Sequence, residues 1–259
     1  MLNHYLAERK QAMTNTDRKV MVMTHVVCGY PSFEDNWKEL EIMQQAGVDL
    51  VELQFPFSEP SADGPLFVKA NQKAIDNGVT VDDCFDFMAK VTDSFSFKVI
   101  MMGYYNTVFK TGHKKFLERL KDAGGVGFIL PDLPIEEANE LHQIANQLDL
   151  APIVLMTPTN SDDRLAQLAK SADGFVYTVA RKGVTGSSTD MNKGVAEFIQ
   201  RCKSVTDLPL AIGFGVSNQE DIKFIAQHAD IAVIGTAALK AWEASQEQGL
   251  TDFFKQLNL

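Results

Sequence analysis

Eight short apolar, strand-prone runs, each followed by an amphipathic helical window, recur along the chain and restrict its fold more than any other feature. The runs span 20–27, 49–55, 98–103, 127–130, 152–156, 174–179, 209–213 and 231–234. Helical windows follow at 33–46, 113–123, 135–148, 162–171, 194–205 and 217–228, and a helix near 252–257 closes the chain. The second connection is longer and holds two windows, 66–77 and 81–92. Strands that alternate with helices pair in parallel, and a parallel sheet needs cover on both faces. Eight such units specify an α/β fold of the (β/α)8 TIM barrel type more naturally than an open doubly wound sheet. Leu2, Tyr5, Leu6 and Met13 fall at helical spacing ahead of the first strand, which predicts an N-terminal extra helix rather than a signal peptide. No Pro/Ser-rich linker, charge block or low-complexity tract divides the 259 residues, so one barrel domain over 1–259 is expected.

Charge and cysteine usage narrow the classes of function. A net charge of −10 without an offsetting Lys/Arg cluster argues against nucleic acid, and no apolar run approaches a membrane span. An anionic small molecule remains compatible, because backbone N–H groups at helix N-termini hold phosphate whatever the global charge. Cys28, Cys84 and Cys202 are odd in number and form no CxxC pair, which predicts reduced thiols in a cytoplasmic protein and no zinc. His25 in the first strand reads as core or mouth lining, since no second ligand sits at metal spacing.

A barrel places its chemistry at the C-terminal ends of the strands, and polar or glycine-rich segments follow strands two, three, four, six, seven and eight. The second is the most informative, VELQFPFSEPSADGP at 51–65. Alternation sends Leu50, Glu52 and Gln54 one way and Val51, Leu53 and Phe55 the other; the all-apolar set should face the helices, which turns Glu52 into the barrel. Poor solvation there favours the neutral acid and makes Glu52 a candidate proton donor, although a structural acid capping a loop fits the same position. Asp63 lies in a loop restrained by Pro56, Pro60 and Pro65, which holds it over the mouth at low entropic cost. Asp–Gly–Pro ahead of a helical window is also a plain turn. Glu59 reads as solvated or partner-facing.

Gly213 and Gly215 after strand seven, and Gly235 with Thr236 after strand eight, mark the usual barrel phosphate site, although glycines also make tight turns. Loop six at 180–194 combines Gly183, Gly186 and Gly194 with small polar residues; it suits a water-excluding lid or a loop without a role, and Arg181 and Lys182 either attract an anion or stay solvated. Tyr104, Tyr105, Phe128 and Tyr177 lie near strand ends, where aromatics flank a planar ligand or simply fill the core.

Along essentially its full length the chain resembles the tryptophan synthase alpha subunit family. The signature E-L-x-x-P-F-S-[DE]-P-x-A-D-G-P stands at 52–65, Y-x-N-x-x-F is carried by Tyr104, Asn106 and Phe109, and D-x-P by Asp132 and Pro134. The lid motif covers 181–186, and the phosphate elements G-F-G and G-[ST]-A stand at 213–215 and 235–237. The resemblance implies a lyase of tryptophan biosynthesis that cleaves indole-3-glycerol phosphate to indole and glyceraldehyde 3-phosphate. It assigns Glu52 as the principal acid/base and Asp63 as the acceptor or stabiliser of the indole N–H proton. It further assigns Gly186, Gly213, Gly215, Gly235 and Thr236 to the phosphate, Tyr177 to the site lining and Thr185 to closure on Asp63. Glu59, Asn106, Phe109, Asp132 and Pro134 match a surface that faces a beta subunit. That subunit carries pyridoxal phosphate in an alpha2-beta2 complex, and no cofactor is expected in this chain.

Five positions depart from the family pattern: Gln54 stands where Gly is usual, His25 for Phe, Glu59 for Asp, Ser61 for Leu and Ala180 for Ser. Two of these, Gln54 and His25, leave an alternative open in which catalysis is weakened and the chain acts mainly as an allosteric activator of the beta subunit. Another phosphate-binding barrel, such as a sugar-phosphate isomerase, accounts for the glycine loops but leaves the 52–65 signature unexplained.

Overall fold

The structure is a computed structural model that describes residues 1–14, 16, 18–179, 188–213 and 215–259, with backbone alone for 188–193. Its eight strands are β1 (Met21–Val27), β2 (Leu50–Gln54), β3 (Lys98–Met102), β4 (Gly127–Ile129), β5 (Ala151–Met156), β6 (Val176–Val179), β7 (Leu210–Gly213) and β8 (Ile231–Ile234). All pair in parallel with their sequence neighbours, and β8 returns to β1, so the sheet closes. Closure leaves no strand edge open to another chain.

Each strand alternates between two apolar layers, as the sequence predicts for β2. Met21, Met23, Leu50, Ile100, Met102, Ile129, Ile153 and Ile231 pack together inside the barrel. Val22, Val26, Val51, Leu53, Phe55, Val99, Met101 and Ile212 point outward and pack under the helices. The helices are α1 (Leu2–Met13), α2 (Phe33–Gln45), α3 (Pro65–Asp76), α4 (Val81–Ser94), α5 (Tyr105–Thr111) and α6 (His113–Asp122), followed by α7 (Asn139–Gln147), α8 (Asp162–Ser171), α9 (Ser188–Lys203), α10 (Gln219–His228) and α11 (Thr236–Leu257).

The predicted extra helix α1 closes the N-terminal end of the barrel. Leu2 and Leu6 enter the interior cluster, while polar residues of α1 reach acids that lie just ahead of strands. Asn3 donates to Asp173 at 2.8 Å, Arg9 to Asp49 at 2.7 Å, Lys10 to Asp230 at 2.8 Å, and the Met1 amino group to Asp149 at 3.1 Å. Asp49 is fully buried, also pairs with Arg18, and accepts the Val22 N–H at 2.8 Å, so its charge is compensated from three sides.

Three elements differ from the sequence expectation. The segment after β3 contains the helix α5, whose first N–H, that of Tyr105, is accepted by Asp132 at 2.9 Å from the next βα loop; no local signal announces a cap 27 residues away. Helix α7 begins at Asn139 because the residues after Pro134 form turns, with Glu137 N–H on the Pro134 carbonyl and Ala138 N–H on that of Ile135. In α11, Ser245 and Gln246 are non-helical, so the helix expected near 252–257 lies in the second of two helical pieces separated by a kink.

Ser32, Thr80, Ser161 and Asn218 cap α2, α4, α8 and α10 with their side chains. Helices α3 and α11 start from Gly64 and Gly235, with no side-chain cap. Both of these glycines line the mouth of the barrel.

Candidate active site

A cavity of about 230 Å³ opens at the C-terminal ends of the strands. It brings together Glu52, Asp63, Tyr177, Gly213, Gly215, Gly235 and Thr236. Thr185 and Gly186, and with them Arg181 and Lys182, lie outside the described residues.

Glu52 enters from β2 and is 2% exposed. Its Oε2 lies 2.8 Å from Nδ1 of His25, the residue facing it across the β1–β2 register. Its Oε1 is buried without a hydrogen-bond partner among the described residues. A buried carboxylate oxygen without a donor is costly, and this one belongs to a residue of the cavity wall. The sequence places Glu52 in a poorly solvated position, which holds; it gives no sign of the imidazole beside it. Burial of the His25 ring pulls its pKa down, but the hydrogen bond and charge of Glu52, then the charge of Asp63, outweigh this and leave it above the ordinary value.

Asp63 stands at the end of the proline-restrained loop, with Pro65 as the first residue of α3. Both readings of the Asp–Gly–Pro segment are true at once, because it is a turn and it delivers Asp63 to the cavity. The Oδ2 of Asp63 accepts from Gln54 Nε2 at 2.7 Å and from the Tyr104 hydroxyl at 3.1 Å. Tyr104 in turn accepts the Ala62 N–H at 3.1 Å and stacks on Phe57, which fixes the loop from below. Burial and then the negative charge of Asp63 raise the Tyr104 pKa far above its usual value, so the phenol remains a donor. Tyr177 is raised in the same sense, by burial first and then by Glu52 and Asp63. Its ring lies against Gly213, where a Cβ would stand 3.1 Å from the hydroxyl oxygen; glycine makes the room.

The far wall is formed by Gly213, Gly215, Gly235 and Thr236, where α11 presents an uncapped N-terminus. No lysine or arginine is among the described lining residues, so an anion there meets backbone N–H groups and the positive end of the first helical piece of α11. Of the predicted aromatics, Tyr177 lines the cavity and Tyr104 is buried beside it, whereas Phe128 packs outward. Tyr105 hydrogen-bonds His113 at the surface of α5 and α6. Glu59, Asn106, Phe109, Asp132 and Pro134 all lie outside this cavity and are exposed, Phe109 to 64%.

The comparison with known proteins decides the family. A sequence model of the family described as tryptophan synthase alpha chain matches residues 11–258. The chain belongs to the tryptophan synthase alpha chain family. Members of this family cleave indole-3-glycerol phosphate, and the reaction gives the protein its place among lyases of tryptophan biosynthesis. A tryptophan synthase alpha chain of Syntrophotalea carbinolica is 42% identical over 240 residues, covering 93% of this chain and 95% of that one. One of Desulforapulum autotrophicum is 41% identical over 257 residues, covering 99% and 100%. Among solved structures, a chain of the tryptophan synthase complex from Pyrococcus furiosus superposes with a TM-score of 0.83 at 25% identity, covering 93% of this chain and 97% of that chain.

Sequence reasoning missed several residues that line this cavity. Phe67 of α3, Met102, Ile129 and Leu155 supply its apolar wall. The three strand residues are inward positions that alternation alone identifies once the barrel is assumed; Phe67 carries no such signal. The tie from Tyr104 to Asp63 spans 41 residues, and no local pattern announces it.

Proposed function

We propose that Glu52 and Asp63 perform the lyase reaction of the family in this chain. The observation that carries the reading is the unpartnered, buried Oε1 of Glu52 at the wall of a cavity that also holds Asp63. Glu52 gives a proton to C3 of the indole ring while Asp63 receives or stabilises the ring N–H proton. Glu52 then takes the proton of the side-chain hydroxyl, the carbon–carbon bond breaks, its electron pair returns to the ring, and the ring nitrogen takes back its proton from Asp63. Indole and glyceraldehyde 3-phosphate leave, and Glu52 is protonated as at the start. Tyr104 and Gln54 hold Asp63 in place through two donors.

The phosphate sits, in this reading, on the N–H groups of Gly213, Gly215, Gly235 and Thr236, with Gly186 completing the set and Thr185 closing on Asp63. Tyr177 flanks the indole. The exposed group Glu59, Asn106, Phe109, Asp132 and Pro134 forms the surface for a beta subunit, in an alpha2-beta2 assembly where pyridoxal phosphate belongs to the beta subunit; a complex is what the Pyrococcus furiosus structure holds. This chain then needs no cofactor of its own and works in the cytoplasm. Among the described residues no helix is long and apolar enough to cross a membrane. The 1–259 barrel acts as one domain.

Release of indole from indole-3-glycerol phosphate, followed with and without a beta subunit, tests the assignment. Glu52→Gln is expected to lower turnover by about 10²- to 10⁴-fold, the usual contribution of a general acid/base. Near-normal turnover in that variant sinks the assignment.

A further inference from the structure

The two acids are joined by a line of short polar contacts. Glu52 Oε2 lies 2.8 Å from His25 Nδ1, His25 Nε2 lies 2.8 Å from Gln54 Oε1, and Gln54 Nε2 lies 2.7 Å from Asp63 Oδ2. The line has a direction. An ionised carboxylate only accepts, so Asp63 takes an N–H of the Gln54 amide, and the amide oxygen is left facing His25. That oxygen also only accepts, so His25 Nε2 must carry a hydrogen.

The consequence falls on Glu52. When His25 is neutral its Nδ1 is a bare acceptor, and a 2.8 Å contact with Glu52 Oε2 requires the proton on Glu52. When His25 is charged, Nδ1 carries the proton and Glu52 is the carboxylate. Both states keep one proton between Nδ1 and Oε2. A state with none sets a lone pair against a carboxylate oxygen in a buried position, which is the costly alternative.

We propose that His25 is a positioning residue which, oriented by Gln54 and the charge of Asp63, stores one proton in its hydrogen bond to Glu52 and so keeps Glu52 supplied as the acid of the reaction. The proposal rests on the acid/base reading of Glu52 given above. The proton balance closes: the proton given to indole C3 leaves the Nδ1/Oε2 site, and the hydroxyl proton taken later refills it. The upward displacement of the His25 pKa agrees with this.

The ionisable groups that act on the ring are Glu52 and Asp63. Strand β8, next to β1, carries none over Ile231–Ile234, and α3 contributes the Phe67 ring at a centroid distance of 4.4 Å. From α2, Glu39 lines a small cavity shared with His25. The phenols of Tyr177 and Tyr104 face the acids and stay protonated. Glu52 and Asp63 are therefore the charges that set the state of His25.

Nitrogen NMR of the histidine rings in the full chain reads the tautomer without turnover, with His25→Asn assigning the resonance. Nε2 of His25 is expected to be protonated in both the neutral and the charged ring, and Gln54→Leu is expected to release this preference so that both neutral tautomers appear. A neutral wild-type ring with a bare Nε2 overturns the proposal. The pH profile of kcat/KM for indole release gives the second reading. A carboxyl group alone gives up its proton at lower pH than one that shares it with an imidazole, so in His25→Asn the alkaline limb should move down by one pH unit or more, a tenfold or larger loss on that limb. A limb that does not move, or an equal loss at every pH, also overturns it. Failure of the lyase reading is a separate result, seen as indole release that survives in Glu52→Gln.

Discussion

At the scale of single residues, the site is a set of polar groups whose partners are almost all accounted for, with one deliberate gap. Glu52 Oε1 lacks a donor among the described residues, while its other oxygen, both His25 nitrogens, the Gln54 amide and Asp63 Oδ2 are engaged. Tyr104 shows how the remainder is stiffened, since one hydroxyl donates to Asp63 and accepts from Ala62 N–H. Hydrogen bonds to charged groups contribute about 1.5 to 3 kcal/mol, so Tyr104→Phe should lower kcat/KM for indole release by roughly tenfold to a hundredfold while the barrel stays folded. Unchanged kinetics in that variant would mean that the loop holds Asp63 without the phenol.

At the scale of elements, the helices around the barrel divide into anchored and open N-termini, and the two glycine starts that line the cavity, Gly64 and Gly235, are open. Helix α2 shows the opposite extreme. It buries Asn36, Glu39, Leu40 and Met43 against the barrel, and Asn36 ties the loop after β1 through Gly29 N–H and the Tyr30 carbonyl. Burial of Glu39 pushes its pKa up to about 8, partly opposed by the Asn36 hydrogen bond. Its folded form therefore binds a proton that the unfolded chain has released, so the stabilisation is complete at low pH and is lost as pH rises through about 8. Thermal unfolding of the wild type should show stability falling from about pH 5 to about pH 8, at no more than about 1.4 kcal/mol per pH unit from this group. Glu39→Gln should flatten that slope; an unaltered slope assigns the pH dependence elsewhere.

At the scale of the whole molecule, the two ends of the barrel have separate duties. The mouth carries the acids and glycines, and the opposite end is sealed by α1 through Leu2, Leu6 and the aspartates ahead of four strands. Leu6 is 2% exposed and belongs to the interior cluster, so Leu6→Ala should cost about 2 to 5 kcal/mol in urea unfolding and leave kcat/KM near normal below the transition. A cost under about 1 kcal/mol would make α1 an appendage rather than the floor of the barrel. The eight strand and helix units, the inward set Leu50, Glu52 and Gln54, and the two acids at 52 and 63 are legible locally, because a period of 2 or 3.6 and a proline-rich turn are written within a few neighbouring residues. Tertiary structure alone decided that His25 faces Glu52 across the β1–β2 register, that Tyr104 reaches Asp63, and that Asp132 caps α5. Those contacts depend on which residue of one element stands level with which residue of another. Strand pairing and barrel closure fix that alignment over the whole chain, and no local window contains it.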